Sequence, residues 1–473
     1  MTRISTSSAR TIIEDFALEI RKRKDPKGPK PAKAVIDFRN ERKIGREREI
    51  EFVPIDLLRY RKDNGRISSD VLDYEKSHAL LKEDTEEAQE IIRQFLEDKD
   101  REKTDELFRS IEHDTQREPA IITCDGFLIN GNRRKMVLER LLKKHPGDER
   151  FSRMKVVILP GKDDEAGPPT LLEIEQIENR YQLQSEGKSE YYNFDRALSI
   201  RRKIELGMSL KEQLGDDATY AGLPEKQFND ELKRVESDFL KPLECVDRYL
   251  EHLGRERLYA TISAGRSDRE GRWQAFVDYN KFYQQMNDEK RRLHLGIGDR
   301  EVGTIEDVAF KIIRKRELSK SESGNSTGLP KVHKIMRDLP KLVRNKDAKK
   351  ELFKLKEIDL HLNQEERFDA TGREYDEQEI DKRWGNKYAT EIIRQVKKAI
   401  QLHDLNRDRE APLTLLRTAL EKLNHEDLED PEISITEISE AMRLAREIKG
   451  RAEELEHLFY DQNKNLKKLQ GKQ

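Results

Sequence analysis

Strand-like apolar runs are short and confined to the first third of the chain. Their length and β-branched or aromatic content are typical of strands, and they are Ile50–Val53, Ala120–Thr123, Phe127–Ile129 and Met154–Leu159. Asp125-Gly126 separates the second run from the third, and Asp-Gly between apolar runs is a strong hairpin signal. The pattern therefore predicts a small sheet that includes one hairpin.

Apolar residues at helical spacing surround these runs and fill the rest of the chain. Helical patterns cover about Asp73–Leu96 and Asn132–Leu142, which predicts a small mixed sheet with helices between about residues 45 and 165. Pro160–Pro169, with two Gly and two adjacent Pro, is typical of a linker. We therefore expect an α+β amino-terminal domain followed by a predominantly α-helical region, mostly α overall.

Three helical segments beyond the linker have the outline of a helix-turn-helix: Tyr191–Leu206, Leu210–Leu214 and Leu223–Leu240. In the last segment, Lys226, Gln227 and Asn229 would face base edges. Lys233 and Arg234 would face DNA phosphates. The stretch Lys188–Lys241 holds ten basic and eleven acidic residues, so a helical domain that packs against protein is the alternative.

Amphipathic helices continue towards the carboxyl terminus. One helical face carries aromatic residues that we expect in a core or a partner-docking stripe: Trp273, Phe276, Tyr279, Phe282 and Tyr283. Ser434-Ile-Thr-Glu437 forms a capping box, and apolar residues then recur at steps of three and four as far as Phe459. We expect this last helix to support a homodimer, with a bundle helix as the alternative.

Composition restricts the possible partners. Charged residues make up 40% of the 473 residues and the net charge is only -2, so any DNA site must be a local patch. Residues 1–48 carry 14 Lys or Arg against 7 Asp or Glu, which predicts a flexible basic arm that holds DNA phosphates or only aids solubility. The two cysteines indicate neither a disulfide framework nor a zinc site. No signal-peptide core or long apolar run is present, so we expect a cytoplasmic protein with no membrane partner.

These patterns predict five segments along the chain. They are a flexible basic arm (1–47), an α+β domain (48–165), a helical helix-turn-helix domain for DNA binding (166–245), a further helical domain (246–385) and carboxy-terminal helices for dimerisation (386–473).

The stretch from Asp125 to Glu139 carries the clearest chemistry. A hairpin strand runs through a Gly turn into a helix whose first turn is Gly131-Asn-Arg-Arg. Free backbone amides at a helix start, the positive end of the helix dipole and two arginines suit a phosphate group. A capped helix with solvated arginines is the structural alternative.

This stretch resembles the arginine box of ParB-type proteins, in the Gly-Asn-Arg-Arg variant of the wider ParB/sulfiredoxin superfamily. Upstream, Val53-Pro-Ile-Asp-Leu-Leu-Arg-Tyr with Asp63-Asn-Gly-Arg66 resembles the opening strand of that family. Gln116-Arg-Glu-Pro-Ala-Ile-Ile resembles the strand before the hairpin, and Ile177-Glu-Asn179 the start of the Glu-Asn-x-Gln-Arg motif. The resemblance covers roughly residues 48 to 240.

The resemblance implies a nucleoside triphosphate, CTP or ATP, bound with Mg²⁺. It assigns the nucleotide phosphates to Gly131, Asn132, Arg133, Arg134 and Arg66. It assigns the Mg²⁺ and any catalytic work to Glu178 and Asn179, whose oxygens are hard ligands. Four residues depart from the family pattern, so the resemblance fixes neither the identity of the nucleotide nor its hydrolysis: Asn132, Met136, Tyr181 and Gln182.

Three functions follow from these observations. The first is a nucleotide-responsive DNA-binding protein of the nucleoid or a plasmid, acting in partition, regulation or defence. The second is an enzyme, either a nuclease or phosphotransferase or an Mg²⁺-dependent nucleoside triphosphatase, which should show a compact acidic set. The sequence offers only Asp125 and Glu178 for such a set. The third is an adaptor that has lost its ligand and binds a protein partner through the helical region.

Overall fold

The structure is a computed structural model of the full chain. It describes residues 10–25, 32–36, 38–39, 41–99, 101–164, 167–183, 193–262, 266–320, 326–425, 428 and 434–470. Helices dominate and strands are few, as the sequence predicts. No helix in these ranges combines the length and the apolar character needed to cross a membrane.

Short strands and helices alternate in the amino-terminal part. In chain order they are α1 (Glu14–Arg23), β1 (Lys33–Ala34), α2 (Glu41–Ile44), β2 (Arg48–Glu49), β3 (Glu51–Pro54), α3 (Ser68–Ser77), α4 (Glu86–Lys99), α5 (Arg101–Asp114), β4 (Ala120–Ile122), α6 (Asn132–Lys144), β5 (Arg153–Ile158) and α7 (Leu171–Leu183). The three main strands coincide with three of the apolar runs. The remaining run, Phe127–Ile129, forms only isolated bridges through Phe127 and Leu128.

The central sheet has the strand order β3-β5-β4, and β5 pairs antiparallel with β3 and parallel with β4. Side chains of a strand point alternately to its two faces. Ala120 and Ile122 therefore join a core with α4 and α6. Ile121, between them, joins a second core in which Ile174 and Ile177 of α7 pack on the opposite face. This arrangement places α6 and α7 on either side of β4.

Two expectations for the amino-terminal part are wrong. The helical pattern expected over Asp73–Leu96 is not continuous, because residues 78–85 separate two helices, α3 and α4. The flexible arm expected over 1–47 does not hold for α1, because Ala17 and Ile20 are buried against the domain. Residues 1–9 and 26–31 of the expected arm lie outside the described residues.

The helical part begins at α8. Its elements are α8 (Asn193–Glu205), α9 (Leu210–Gly215), α10 (Ala218–Ala221), α11 (Glu225–Val235), α12 (Lys241–His252), α13 (Arg266–Asn287), α14 (Glu289–His294), α15 (Glu301–Lys315), α16 (Val332–Arg344), α17 (Lys346–Leu352), α18 (Glu377–Lys387), α19 (Ala389–Leu423) and α20 (Ile435–Gln470). A π-helical turn, Glu236–Leu240, connects α11 with α12. One core runs from Phe194 to Ala399, so the expected boundary between 245 and 246 does not separate two cores.

Aromatic residues on α13 supply much of this helical core. Trp273, Phe276, Tyr279 and Phe282 are all buried in it, and Tyr283 is half-buried against it. The prediction of a core stripe is therefore confirmed, and these rings are not a surface for a partner.

The chain divides into two compact units, Met1–His403 and Asp404–Gln473. The second unit begins within α19 and not at the expected residue 386, because Ala389, Ile392 and Val396 of the same helix are buried in the first unit. It holds the end of α19 and the whole of α20.

Candidate phosphate-binding site

The turn between the hairpin and α6 is fixed by its own residues. The Asn130 side chain accepts a hydrogen bond from the Ile121 amide at 2.8 Å, which ties the turn to β4. Gly131 follows with φ +90°, a conformation that favours glycine. A Cβ atom there would lie 2.8 Å from the Ala120 Cβ and 3.0 Å from the Met154 methyl carbon. Glycine is therefore required both by the backbone angle and by the closeness of the sheet.

Gly131 occupies the N-cap position of α6 and, as a glycine, provides no side-chain cap. The first amides of a helix lack partners within the helix and lie at the positive end of its dipole, which favours an anion. Asn132 is only 8% exposed, and within the described ranges its Oδ1 atom has no hydrogen-bond partner. This oxygen is an acceptor, so it would gain from a hydrogen-bond donor, which an ionised phosphate does not supply.

Arg133 and Arg134 are both half-buried on the first turn of α6. Arg134 donates from Nη1 to the Glu118 backbone carbonyl, just before β4. Burial lowers the pKa of Arg134 from its ordinary value, although Glu118 and Tyr181 oppose this effect. The structure thus brings both predicted arginines to the helix start, beside the end of α7.

Asp125 has a structural task in the hairpin. Its carboxylate is fully buried and receives two hydrogen bonds from Nη1 of Arg10, at 2.7 and 2.9 Å. The Ile13 amide and the Thr123 hydroxyl also donate to it, at 3.0 and 2.6 Å. These contacts tie the segment before α1 to the hairpin and leave Asp125 engaged on both oxygens.

Glu178 lies buried on α7 beneath the loop that follows β3. Its Oε1 atom accepts from the Gly65 amide at 3.2 Å, and its Oε2 atom lies 3.6 Å from the Arg61 guanidinium. Arg61 also donates to Glu175, one turn earlier on α7, at 3.0 Å. Burial and the nearby Glu178 raise the pKa of Glu175. Two carboxylates therefore share the charge of one buried arginine.

Asn179 is buried next to this pair and bonds to two helices. Its Oδ1 atom accepts from Lys203 on α8 at 2.9 Å, and its side-chain amide donates to the Gln213 carbonyl on α9 at 3.2 Å. Burial lowers the pKa of Lys203, while Glu178 and Glu175 act against that. The residue assigned to a metal is therefore engaged by a side-chain ammonium group.

These contacts decide the fit of Mg²⁺. The oxygens of Glu178 and Asn179 are of the type that Mg²⁺ prefers. However, Lys203 donates to the Asn179 oxygen at 2.9 Å, and Arg61 lies 3.6 Å from a Glu178 oxygen. The residues in this arrangement therefore do not fit a bound Mg²⁺ ion. Among the residues that the structure describes, no group of three or more His, Cys, Asp and Glu side chains could hold a metal ion.

Arg66 lies half-buried in the loop between β3 and α3. Its backbone amide donates to the Asn64 side chain at 3.0 Å, which closes a tight turn. The same loop is joined to α8 by a 2.7 Å ion pair between Asp63 and Arg202. The loop that carries Arg66 is thus held by residues of both α7 and α8.

Helix α11 carries the five residues predicted to contact DNA, and all five are exposed: Lys226, Gln227, Asn229, Lys233 and Arg234. The other face of α11 packs with α8 and α9 in a small core through Val235, Phe228 and Leu232. A capping box, Ser209 with Glu212, fixes the start of α9. Arg234 forms an ion pair with Glu231 at 2.6 Å, so the exposed face carries both signs of charge.

Sequence reasoning missed the cations that hold the α7 carboxylates. Lys203 lies 24 residues after Asn179 on a different helix, and Arg61 lies more than a hundred residues before Glu178. The only local signal was Glu175, which lies three residues before Glu178 and so on the same helical face.

Comparisons of the chain with profiles of protein families, with curated proteins and with solved structures gave no match.

Proposed function

We propose that this chain is a ParB-like, nucleotide-responsive DNA-binding protein that holds a nucleotide phosphate at the start of α6. The observation that carries the proposal is the helix start, where Gly131 adopts φ +90° in the N-cap position and provides no side-chain cap. Arg133 and Arg134 stand on the first turn. A phosphate there would accept from the first amides of α6 and from guanidinium groups together.

A route from this site to the helical region also supports the proposal. α7 packs on the sheet beside β4 through Ile174 and Ile177. From the same helix, Asn179 bonds to α8 and α9. A ligand that shifts α7 would therefore act directly on the helices that carry the candidate recognition helix, α11.

DNA binding is assigned to the exposed face of α11. Gln227 and Asn229 are amide side chains, which can pair with adenine edges in the major groove. Lys233 and Arg234 supply charge for phosphates, and phosphate contacts make affinity fall with salt. The partner DNA would belong to the nucleoid or to a plasmid, and the proposed role is in partition, regulation or defence.

Fluorescence anisotropy with DNA from the protein's own locus tests this proposal. We expect one of CTP, ATP, GTP and UTP to change the DNA affinity, and we expect the Arg133→Ala/Arg134→Ala variant to lose that response. Gln227→Ala should reduce discrimination between sequences, with about 1–3 kcal/mol for each lost base contact, whereas Lys233→Ala should weaken all sequences alike. Absence of DNA binding at low salt would contradict the proposal.

The second unit offers a surface for a homodimer. Leucines on its part of α19 fall at steps of three, four and three and are 37–60% exposed: Leu413, Leu416, Leu420 and Leu423. On α20, Ile438, Met442 and Ile448 are also about half exposed. Such steps are the seam of a coiled coil, and a seam of this kind is buried when two chains pair.

Light scattering coupled to gel filtration tests the dimer. Leu420→Glu places a charge in the α19 seam and should give a monomer. Leu415→Glu is the matched control, because Leu415 is 70% exposed on the same helix and lies off the seam. A wild-type monomer, or equal behaviour of the two variants, would remove the dimer from the account.

A second function, the adaptor, is favoured by the contacts of Lys203 and Arg61 with Asn179 and Glu178. Lys203 and Arg61 interact with the Asn179 and Glu178 oxygens that the family resemblance assigns as metal ligands. These contacts hold the domain together without a ligand. The adaptor predicts that none of the four triphosphates raises the thermal unfolding temperature. A rise with any one of them favours the nucleotide-responsive protein instead.

A further inference from the structure

A cavity of about 250 Å³ lies in the helical part, away from the start of α6. It lies among the end of α12, α15, α18 and the connection between α17 and α18. The lining residues are Leu253, Gly254, Arg255, Arg314, His361, Leu362, Arg367, Glu377 and Ile380. Three guanidinium groups therefore meet one carboxylate in the wall of one small space.

The floor of the cavity is a buried ion-pair cluster around Asp381. Arg255 donates to the Asp381 Oδ1 atom at 2.8 Å, and Nε of Arg314 donates to the same atom at 2.9 Å. Arg316 lies 3.7 Å from the other carboxylate oxygen. Arg255 is 5% exposed and Arg314 is 1% exposed, so the charges that create the positive field are held rigidly and out of water.

The carboxylates do not balance the arginines. The lining, the floor and their ion-pair partners contain Arg255, Arg314, Arg316 and Arg367 against Glu374, Glu377 and Asp381, which leaves one positive charge in excess. Charge–charge interactions are strengthened where water is excluded. A cavity with an excess of buried guanidinium groups therefore favours an anion.

Arg367 is the side chain best placed to meet a ligand. It is one-third exposed and forms ion pairs with Glu374 at 3.0 Å and with Glu377 at 3.6 Å. It lines the cavity and keeps exposed surface beside these ion pairs, so it can meet a group that enters the cavity.

His361 supports the same conclusion. It is exposed at the cavity, and burial together with Arg314, Arg255 and Arg367 lowers its pKa from the ordinary value. The neighbouring guanidinium groups thus disfavour a further positive charge at this position. An anion in the cavity would offset that field.

We propose that this cavity binds a small phosphate-bearing ligand, with Arg367 as its donor and the buried Arg255 and Arg314 as the source of the positive field. Guanidinium groups match phosphate oxygens in geometry and charge. The volume exceeds that of one water molecule many times over, since a single water needs roughly 10–15 Å³ measured in the same way. Both inorganic phosphate and the phosphate of a small organic ester therefore belong to the class that the cavity would take.

Isothermal titration calorimetry on the full chain tests the proposal, with inorganic phosphate and a nucleoside monophosphate as separate probes. We expect at least one probe to bind the wild type. Arg367→Gln should weaken binding about tenfold or more, because charge-assisted hydrogen bonds are lost. Arg383→Gln is the matched control, since Arg383 is an exposed arginine of α18 that does not line the cavity. Arg367→Lys keeps the charge and should bind with intermediate affinity.

The result separates this site from the one at α6. The same titrations are repeated in the Arg133→Ala/Arg134→Ala background, which lacks the α6 arginines, so the binding that remains there and that Arg367→Gln weakens belongs to the cavity. Tighter binding of the monophosphate would indicate an organic ester, and tighter binding of inorganic phosphate the free ion. No binding of either probe at 10 mM (about the weakest affinity worth measuring), or equal affinity of Arg367→Gln and wild type, would overturn the proposal.

Discussion

Gly131→Ala tests whether the start of α6 has the geometry on which the phosphate site rests. A non-glycine residue at φ +90° costs about 1–2 kcal/mol. The new Cβ would also lie 2.8 Å from the Ala120 Cβ, and overpacking of this kind costs about 1–3 kcal/mol more. We therefore expect a total loss of about 2–5 kcal/mol in the free energy of opening of α6.

Gly147→Ala provides the matched control at the other end of α6. Gly147 has φ +89°, nearly the same as Gly131, but a Cβ there meets no atom within 4 Å. It should therefore cost only the backbone term of about 1–2 kcal/mol. Hydrogen exchange of the slowly exchanging α6 amides, such as that of Val137, measures both losses. Equal losses for the two variants would refute the close approach of Gly131 to β4.

Three further predictions concern buried groups. Lys203→Met should lower the free energy of unfolding of the first unit in urea by about 3–5 kcal/mol, because it leaves buried carboxylates uncompensated. The control is Lys211→Met on the exposed face of α9, which should change that free energy little. Equal effects of the two variants would contradict the buried network. Burial raises the pKa of Cys124 to about 11. Iodoacetamide at pH 8 should therefore label this thiol about a hundredfold more slowly in the folded protein than in urea, as followed by mass spectrometry. Rapid labelling of the folded protein would show that the thiol is not buried. Burial opposes the ionisation of Asp381, but Arg255 and Arg314 outweigh the effect of burial and lower the pKa of Asp381. The stabilisation that ionised Asp381 gives the fold is therefore complete above the unfolded-state pKa of 3.8 and is lost as the pH falls through the lower folded-state pKa. Urea unfolding at pH 5 and at pH values that fall progressively below 3.8 should show that loss in the wild type and a smaller one in Asp381→Asn.

Local patterns predicted the elements that form the candidate site. The strands could be predicted because each is a short apolar run that ends at polar or turn residues. In runs such as Ala120–Ile122 and Arg153–Ile158, the buried side chains are divided between the two cores on opposite faces of the sheet. The start of α6 was readable because Gly131 and Asn132 follow a hairpin signal. In each case the deciding information lies within a few neighbouring residues.

The features that could not be predicted depend on contacts between residues that are distant in the sequence. Ile12, Ala17 and Ile20 are the buried residues of the range 10–25, but they stand among many charges and need the hairpin as their partner. Lys203 is one of many lysines until the fold brings it to Asn179. The charged cavity is assembled from four separate segments, so no single stretch of sequence carries its signal.

Direct binding of nucleotides to the start of α6 tests the central claim. Titration calorimetry would compare the wild type with Arg133→Ala/Arg134→Ala for CTP, ATP, GTP and UTP, with and without Mg²⁺. The control is Arg140→Ala/Lys143→Ala, which removes the same charge from the far end of the same helix. The account predicts that at least one triphosphate binds the wild type and the control, and binds the first variant at least about tenfold more weakly. Equal affinity of the first variant and the wild type, or no binding of any triphosphate, would contradict it.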